Sequence, residues 1–155
     1  MAEKNNPAST SAERVLVVKR AFDARPELVF DAWLDSEIAR SWLFATDTGE
    51  MVRAEIDARV GGRFVFVRRD GEDVEHVGEY LEIDRPRRLV FTFSVPKYSP
   101  VVTRVTVDIV PFGAACELTL THEGVLPEWL EPTRSGWTGI LRNLVKTLDD
   151  KLTGT

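Results

Sequence analysis

Cysteine and histidine are scarce in this chain of 155 residues, which contains one cysteine and two histidines. Cys116 has no second cysteine with which to form an intramolecular disulfide, and together with His76 and His122 it provides too few ligands for a structural zinc site. We therefore expect no disulfide, no metal and no cofactor. A reducing, cytoplasmic environment fits this cysteine usage best.

Long apolar runs and an excess of positive charge are also missing. Purely apolar runs are short, as at Val15–Val18, whereas about 20 residues are needed to span a bilayer. The first thirteen residues, MAEKNNPASTSAE, hold no apolar stretch of the kind found in a secretory signal. The chain has 20 Lys and Arg against 25 Asp and Glu, and the resulting formal charge of −5 does not suit a phosphate backbone. We expect no membrane span and no nucleic-acid partner.

Familiar catalytic motifs are absent as well. The sequence has no GxSxG element, no phosphate-binding glycine loop and no GxGxxG after a strand, which leaves serine hydrolysis, nucleotide hydrolysis and dinucleotide binding without support. The Gly61–Gly62 pair is interpreted as a tight turn. Cys116 lies in phase with Leu118 and Leu120 on an alternating strand, so we expect a small buried side chain rather than a reactive thiolate.

What the chain does contain is typical of one globular domain. Its residues are 43% hydrophobic and 29% charged, the ordinary range for a soluble domain. A chain of this length buries about 70% of the surface that its unfolded form exposes, which is enough for a core without staples. We expect residues 1–13 to form a disordered tail and residues 14–155 to form a single domain.

The first third of that domain predicts one strand and two short helices. A β-branched run from Arg14 to Phe22 predicts the strand. Pro26 suits the first position of a helix, since its missing N–H is tolerated there. The apolar side chains that follow recur at helical spacing, namely Val29, Phe30, Trp33 and Leu34. Asp35 or Ser36 can cap the second helix.

From Met51 onward the apolar pattern changes to a period of two, which predicts six further strands. They are Met51–Ala58, Arg63–Arg69, Val74–Ile83, Arg88–Val95, Val102–Val110 and Ala115–Glu123. The turns between them are predicted at Gly61–Gly62, Asp70–Gly71, Asp84–Pro86 and Pro111–Gly113. Asp-Gly supplies the positive φ angles of a two-residue hairpin turn, so we expect Arg69 and Glu72 to flank it as a cross-strand charge pair.

A long amphipathic helix is predicted near the end of the chain. Thr133 can cap it, and it extends to about Leu152. Its apolar stripe consists of Trp137, Leu141, Leu144, Leu148 and Leu152. One strand, two short helices, six strands and a long helix, joined by hairpin-length connections, predict an α+β fold with an antiparallel sheet.

Several segments along this order resemble one known family. They are VVKRAFDARPELVFDAWLDSEIARSW, RVGGRF, GEYLEIDRPRRLVFTF, VTRVTVDIVPFGAACELTLTHEG and GWTGILRNLVKTL. In this combination the chain resembles the single-domain homologues of the heat-shock protein 90 ATPase activator, which belong to the START-like, helix-grip superfamily also labelled SRPBCC. The resemblance covers about Val15 to Leu152.

The resemblance implies more about fold than about chemistry. It implies a seven-stranded antiparallel sheet curled around the C-terminal helix, with the two short helices closing one end. A cavity between sheet and helix in such proteins usually holds an apolar ligand. The eukaryotic activator has a separate N-terminal domain that drives its chaperone contact, and nothing in this sequence resembles that domain. A chaperone contact is therefore doubtful for this chain.

The strand faces and the helix stripe together supply candidate ligand-binding residues. Alternate residues of a strand share a face, so aromatic and apolar side chains gather on the side that would face the helix. Read with the resemblance, they predict the wall of a ligand cavity. Periodicity alone does not separate such a wall from an ordinary closed core, and without the resemblance the closed core is the favoured interpretation. The candidates are Trp42, Phe64, Phe66, His76, Tyr80, Phe91, Phe93, Val105, Val107, Leu120, His122, Trp137, Leu141 and Leu144.

Histidines and tyrosines are the candidates for polar contacts. In the implied sheet order, two strands separate His76 from His122, a distance of about 14 Å that is too long for direct proton exchange. Each ring could instead hydrogen-bond a ligand or a local carbonyl group. Tyr80 could orient a ligand or be a buried structural phenol. Tyr98 lies in the loop VPKYSPVV, which could form a lid over the cavity mouth.

Three functions remain open at this point. The first is the binding of a small hydrophobic or amphipathic ligand in the cavity. The second is cyclase, aromatase or hydrolase chemistry in which Tyr80, His76 or His122 moves a proton. The third is an interaction module, either as a homodimer or beside a chaperone. Because the sequence shows no catalytic constellation, we assign no catalytic residue and expect ligand binding.

Overall fold

A computed structural model describes residues 15–46 and 48–152 of the chain. The predicted tail over residues 1–13 lies outside the described residues. The same holds for Arg14 and residues 153–155 of the predicted domain.

Within the described residues, seven strands form one antiparallel sheet in the order β1-β7-β6-β5-β4-β3-β2. The strands are β1 (Val15–Phe22), β2 (Glu50–Ile56), β3 (Arg63–Asp70), β4 (Glu72–Asp84), β5 (Arg88–Phe93), β6 (Thr103–Phe112) and β7 (Ala115–Glu123). Each strand from β2 to β6 pairs with the strand that follows it, and β1 pairs with β7. The strand count and the antiparallel pairing confirm the predicted sheet.

Three α-helices accompany this sheet in the described part of the chain: α1 (Pro26–Asp31), α2 (Ser36–Trp42) and α3 (Leu130–Leu152). Pro26 occupies the start of α1, as predicted. Asp35 caps α2, since its side chain accepts hydrogen bonds from the backbone N–H groups of Glu37 and Ile38. The long helix packs against β1 and α2, which confirms the α+β helix-grip architecture.

The start of α3 differs from the prediction. The helix begins at Leu130, directly after a short 3-10 helix at Pro127–Trp129, so Thr133 lies inside it and does not cap it. Pro132 does not delay the helix, because the N–H groups of a first turn have no partner within the helix and a proline there loses no hydrogen bond. The predicted cap at Thr133 is therefore wrong, and the helix begins three residues earlier.

The β3–β4 hairpin also differs from its prediction. Asp70 pairs with Glu72, and Gly71 alone, at φ +83°, forms the tip between them. Arg69 is consequently opposite Asp73, to which its Nε atom donates a hydrogen bond of 2.7 Å. The predicted pair of Arg69 with Glu72 is wrong, because the turn follows the odd-numbered hairpin pattern with one left-handed glycine rather than the two-residue pattern.

The β6–β7 hairpin is longer than predicted. β6 continues through Pro111 and Phe112, and Phe112 pairs with Ala115. The turn is therefore Gly113–Ala114, with Gly113 at φ +56°. Pro111 does not end the strand, since a proline near a strand end removes only one ladder donor.

The inner faces of the strands form the core against α3. Phe66, Val105, Val107, Leu118 and Leu120 are fully buried on one side of the sheet. Their alternation along the strands is the one that the sequence predicts. From α3, the stripe residues Trp137, Leu141, Leu144 and Leu148 are buried against this face. At the α1–α2 end, Trp33 and Trp42 pack edge to face with ring centroids 4.8 Å apart.

Candidate functional site

A cavity of about 480 Å³ opens between α3 and one end of the sheet. Its walls come from α3, from the segment after α2 and from the inner faces of β3, β4 and β5. We call it the polar cavity because arginine, histidine and asparagine side chains contribute to it. The residues that matter below are Phe44, Arg68, His76, Trp137, Arg142 and Asn143.

A second cavity of about 160 Å³ lies beside it, and we call it the apolar cavity. It is enclosed by the β5–β6 loop (residues 94–102) and by the segment that leads from β7 into α3. Its lining includes Tyr98, Val101, His122, Val125, Leu126 and Trp129. Phe93, Val95 and Thr133 line both cavities, so the two adjoin along these residues.

His122 stands at the centre of a hydrogen-bond chain that joins α3 to three strands. The indole Nε1–H of Trp137 donates to His122 Nδ1 at 3.0 Å. An indole can only donate, so Nδ1 is unprotonated and Nε2 carries the ring proton. Nε2–H then donates to Thr103 Oγ1 at 2.7 Å, and that hydroxyl donates to the Phe93 carbonyl oxygen at 2.9 Å.

This chain makes His122 a neutral structural residue. Burial lowers the pKa of His122 from 6.5 to about 4, because the charged ring would lose its hydration. Both ring nitrogens are already occupied, one as acceptor and one as donor. His122 therefore fixes the position of Trp137 at the cavity wall and has no nitrogen left to offer a ligand.

His76 lies in the wall of the polar cavity and differs from His122. Its side chain is buried, and Nδ1 has no hydrogen-bond partner among the residues that the structure describes. Burial, followed by the positive charge of Arg68, lowers the pKa of His76 to about 4, while the carbonyl groups of Phe66 and Val74 act in the opposite direction. The ring is therefore neutral at pH 7 and has one unused nitrogen.

Phe44 covers His76 from the segment after α2. The two rings stack with centroids 4.8 Å apart and an angle of 15°, and Phe44 also stacks on Phe93 at 5.1 Å. To reach this position Phe44 adopts φ +62°, the left-handed region that a bulky residue rarely occupies. The strain is held by the packing of its ring, and such strain is typical of functional sites.

Arg68 is the charged residue of β3 that reaches the polar cavity. Its Nη1–H donates to the Phe44 carbonyl oxygen at 3.2 Å, while its buried Nε–H has no partner among the described residues. The bare Gly49 leaves room for the Arg68 stem, since a Cβ at that position would lie 2.8 Å from Arg68 Cγ. Arg68 is therefore held in place by packing and by one hydrogen bond.

The face of α3 that lines the polar cavity is unusually bare. Gly136 and Gly139 both contribute to the lining, and a Cβ at either position would meet nothing within 4 Å. A glycine inside a helix costs about 1 kcal/mol relative to alanine. At these two positions the missing side chains leave open space between α3 and the sheet, and Arg142 and Asn143 follow them on the helix.

Exposed aromatic rings border the apolar cavity. Tyr98 is 57% exposed and Trp129 is 46% exposed, although both line the cavity. The β5–β6 loop folds over through hydrogen bonds from the backbone N–H groups of Tyr98 and Ser99 to the Val95 carbonyl oxygen. This loop is thus at the cavity mouth, where the sequence predicts a lid.

The predicted site residues fall into two groups. His76, Phe93, His122 and Trp137 line the cavities. The others lie in the closed core and line neither cavity: Trp42, Phe64, Phe66, Tyr80, Phe91, Val105, Val107, Leu120, Leu141 and Leu144. For all of them, contact with a ligand stays a prediction.

The proton-transfer candidates are not brought together. His76 is on β4 and His122 is on β7, with β5 and β6 between them, as predicted. Burial raises the pKa of Tyr80 above its ordinary value, and the carboxylate of Asp57 adds to this. Tyr80 lines neither cavity, and both ring nitrogens of His122 are hydrogen-bonded. His76 is thus the one of these three residues that lines a cavity and has a nitrogen unpaired within the described part of the chain.

Sequence reasoning missed most residues of the polar cavity, including the four side chains that matter most for its chemistry, namely Phe44, Arg68, Arg142 and Asn143. A signal for Arg68 exists, because it alternates in phase with Phe64 and Phe66 and so belongs to the inner face of β3. No comparable signal exists for Phe44, since a phenylalanine after a helix does not predict a positive φ. Arg142 and Asn143 look like ordinary polar residues of an amphipathic helix.

The described part of the chain also lacks a metal-binding cluster and a helix suited to crossing a membrane. No three His, Cys, Asp or Glu side chains in it are grouped so that they could hold a metal ion. None of its helices combines the length and the apolar character that crossing a membrane requires.

Comparison with protein families gives one match. The family described as Activator of Hsp90 ATPase homolog 1-like protein matches residues 23–149. Comparison with the sequences of curated proteins gives no match.

Solved structures with the same fold come from several organisms. A protein from Chromobacterium violaceum is 25% identical, with 86% of this chain and 95% of that chain covered and a TM-score of 0.76. An AHSA1-like protein from Aeromonas hydrophila is 19% identical over 88% of this chain and 93% of its own, with a TM-score of 0.78. An HSP90 activator from Plasmodium falciparum is 22% identical, with 88% of this chain and 96% of that chain covered and a TM-score of 0.68.

Proposed function

Because the chain belongs to the Activator of Hsp90 ATPase homolog 1-like family, a group in which hydrophobic ligands are commonly bound, we propose that it binds a small amphipathic molecule. The ligand occupies the adjoining polar and apolar cavities between α3 and the sheet. The domain over residues 14–155 acts in this proposal as a ligand-binding module.

The observation that carries the proposal is the contrast between two adjoining cavities. The apolar cavity is lined mainly by valine, leucine and aromatic side chains, with serine, threonine and the neutral His122 as uncharged polar residues, and the polar cavity adds arginine and asparagine. A molecule with an apolar part and a polar part matches both at once, whereas a purely apolar molecule would leave the polar groups unpaired. A volume of about 480 Å³ for the larger cavity lies in the ordinary range for small-molecule sites.

The predicted site residues take different roles in this proposal. Phe93, Val95 and Thr133 form the passage between the cavities, and Trp137 and His76 contact the ligand from two sides. The buried core residues of the predicted set hold these walls rigid, because close packing keeps a cavity from collapsing. Entry takes place beside the exposed rings of the apolar cavity.

Filling the open space on α3 is expected to abolish this binding. Gly139→Leu places a branched side chain at a position where a Cβ meets nothing within 4 Å and which lines the polar cavity, and it raises the helix propensity of α3. We expect a loss of affinity of tenfold or more for an amphipathic fluorescent probe, measured by displacement titration, with an unchanged or higher melting temperature.

Thr138→Leu is the matched control for this substitution. Thr138 is the exposed neighbour of Gly139 on α3 and lines neither cavity. Unchanged probe binding in Thr138→Leu and lost binding in Gly139→Leu would support the site. Equal binding by both variants and by the original protein would place the ligand elsewhere and refute the proposal.

The proposal requires neither a second copy of the chain nor a chaperone. The relative from Plasmodium falciparum is an HSP90 activator, but at 22% identity its likeness extends to the fold. We place the activity in the cytoplasm, since the lone Cys116 is a buried thiol that suits a reducing compartment.

A further inference from the structure

We infer that the ligand of this site is an anionic amphiphile, whose carboxylate or phosphate head group binds in the polar cavity while its apolar part occupies the apolar cavity. The inference rests on the proposed function and names the chemical class of the ligand. It follows from the charges, the unpaired groups and the positions of the side chains around the polar cavity.

The charge of the polar cavity has one sign. Arg68 and Arg142 line it, and none of the described residues in its lining is acidic. Within the described residues, neither arginine forms an ion pair. On a chain with a net charge of −5, two unpaired guanidinium groups at one cavity form a local site for an anion.

Two buried polar atoms at this cavity lack partners in the described part of the chain. They are Arg68 Nε and His76 Nδ1. Buried polar groups in folded proteins are nearly always hydrogen-bonded, so each unpaired group calls for an explanation. Oxygen atoms of an anionic head group would accept a hydrogen bond from Arg68 Nε–H and from His76 Nδ1–H, in the neutral tautomer of the ring that carries its proton on Nδ1.

Arg68 is held ready for such a contact before a ligand arrives. Its hydrogen bond to the Phe44 carbonyl oxygen and its packing under Gly49 fix the side chain. A guanidinium that is already ordered loses little entropy on binding and presents its donors in a fixed plane. Phe44 holds the same arrangement from the other side through its stacking on His76.

The adjoining apolar cavity indicates that the anionic ligand also has an apolar part. Among the described residues that line it, none is charged, and His122 is neutral and has both nitrogens engaged. An inorganic anion would leave this cavity empty. An alkyl chain or an aromatic ring attached to the head group would fill it and bury apolar surface.

Four unbranched probes of ten carbon atoms each test the inference by titration calorimetry: decanoate, decyl phosphate, decanol and decylamine. We expect at least one of the two anions to bind about tenfold or more tightly than decanol, and decylamine to bind most weakly. Comparison of decanoate with decyl phosphate then shows which head group the cavity prefers.

Substitution of the arginines identifies the residues responsible. In Arg68→Gln/Arg142→Gln the affinity for the preferred anion is expected to fall about tenfold or more, to the level of decanol, while decanol affinity stays constant. Arg142→Gln alone provides the same test at an exposed position, where the substitution should leave folding unchanged. We expect a smaller decrease in affinity for the anion than in the double variant. Arg63→Gln on β3 and Lys146→Gln on α3 are the controls, since both side chains are exposed and line neither cavity.

Each outcome of these titrations has a definite meaning. Equal affinity of the original protein for decanoate, decyl phosphate and decanol would overturn the head-group inference while leaving the proposed function intact. Full retention of anion binding by the double variant, or an equal loss in the Arg63 and Lys146 controls, would also overturn it. Binding of none of the four probes would overturn the proposed function and the inference together.

Discussion

Lowering the pH from about 7 to about 5 is expected to reduce the free energy of unfolding by about 4 kcal/mol, because the two buried histidines bind protons in the unfolded chain but not in the folded protein. His76 and His122 each have a folded-state pKa of about 4, lowered chiefly by burial. The ordinary value of 6.5 applies to the unfolded chain. The stability is therefore fully present above pH 6.5 and is lost as the pH falls towards 4, because the unfolded chain takes up protons first.

The geometry around both rings explains why protonation is unfavourable. A proton on His122 Nδ1 would oppose the indole N–H of Trp137, which now donates to that atom. The hydrogen-bonding neighbours of His122 on β6 and α3 carry no charge that could stabilise an imidazolium. His76 has the positive charge of Arg68 nearby, which disfavours a second cation.

Urea unfolding at a series of pH values measures this loss directly. Each histidine contributes about half of the slope, so His122→Gln is expected to remove about 2 kcal/mol of the pH dependence above pH 5. Glutamine is the conservative choice because its amide can accept from Trp137 and donate to Thr103. A free energy of unfolding that stays constant from pH 7 to pH 5 would contradict the neutral, buried state of both rings.

Gly78→Ala is expected to destabilise the protein by about 3 kcal/mol or more. Gly78 lies on the inner face of β4 between His76 and Tyr80. A Cβ there would overlap the Thr92 carbonyl oxygen and lie 2.5 Å from the Phe64 ring. The carbonyl belongs to the backbone of β5, and the Phe64 ring packs against Tyr80 and other core aromatic rings, so neither neighbour can move cheaply.

Gly136→Ala serves as the control for this prediction. Gly136 is a helical glycine with open space around its Cβ position, so alanine there is expected to stabilise α3 by about 0.5–1 kcal/mol. Thermal and urea unfolding of the two variants should therefore shift in opposite directions. Similar stability of Gly78→Ala and the original protein would contradict the close approach of β4 and β5 at this position.

The sheet and the helices were predictable because local signals and the resemblance agree. Strand alternation gives each residue its face, and the Asp35 cap and the Pro26 start are chemical signals that act within a few residues. The errors arise where one residue is compatible with two local structures. Pro132 can precede a helix or lie in its first turn, and Gly71 permits more than one hairpin length.

The candidate site was predictable only in part. Alternation identifies inward-facing residues, but the difference between a filled core and a cavity depends on how side chains from distant segments fit together. Phe44 closes over His76 through a rare backbone angle, and nothing local in the sequence requires it. Arg68 was predictable in principle, because its alternation with Phe66 places it on the inner face of β3. A charged residue on an inner face is unusual and therefore indicates a functional site.

The central proposal is that a ligand binds between α3 and the sheet. Its most direct test is a titration with decanoate followed by nitrogen–proton correlation spectra. We expect saturable shifts of the Gly136 and Gly139 amides and of the Trp137 indole, all of which belong to the cavity wall. The amides of Gly61 and Gly113, in the β2–β3 and β6–β7 hairpin turns at the end of the sheet opposite the cavities, should not move. Unchanged signals at the cavity residues, or equal shifts at the hairpin glycines, would contradict this proposal.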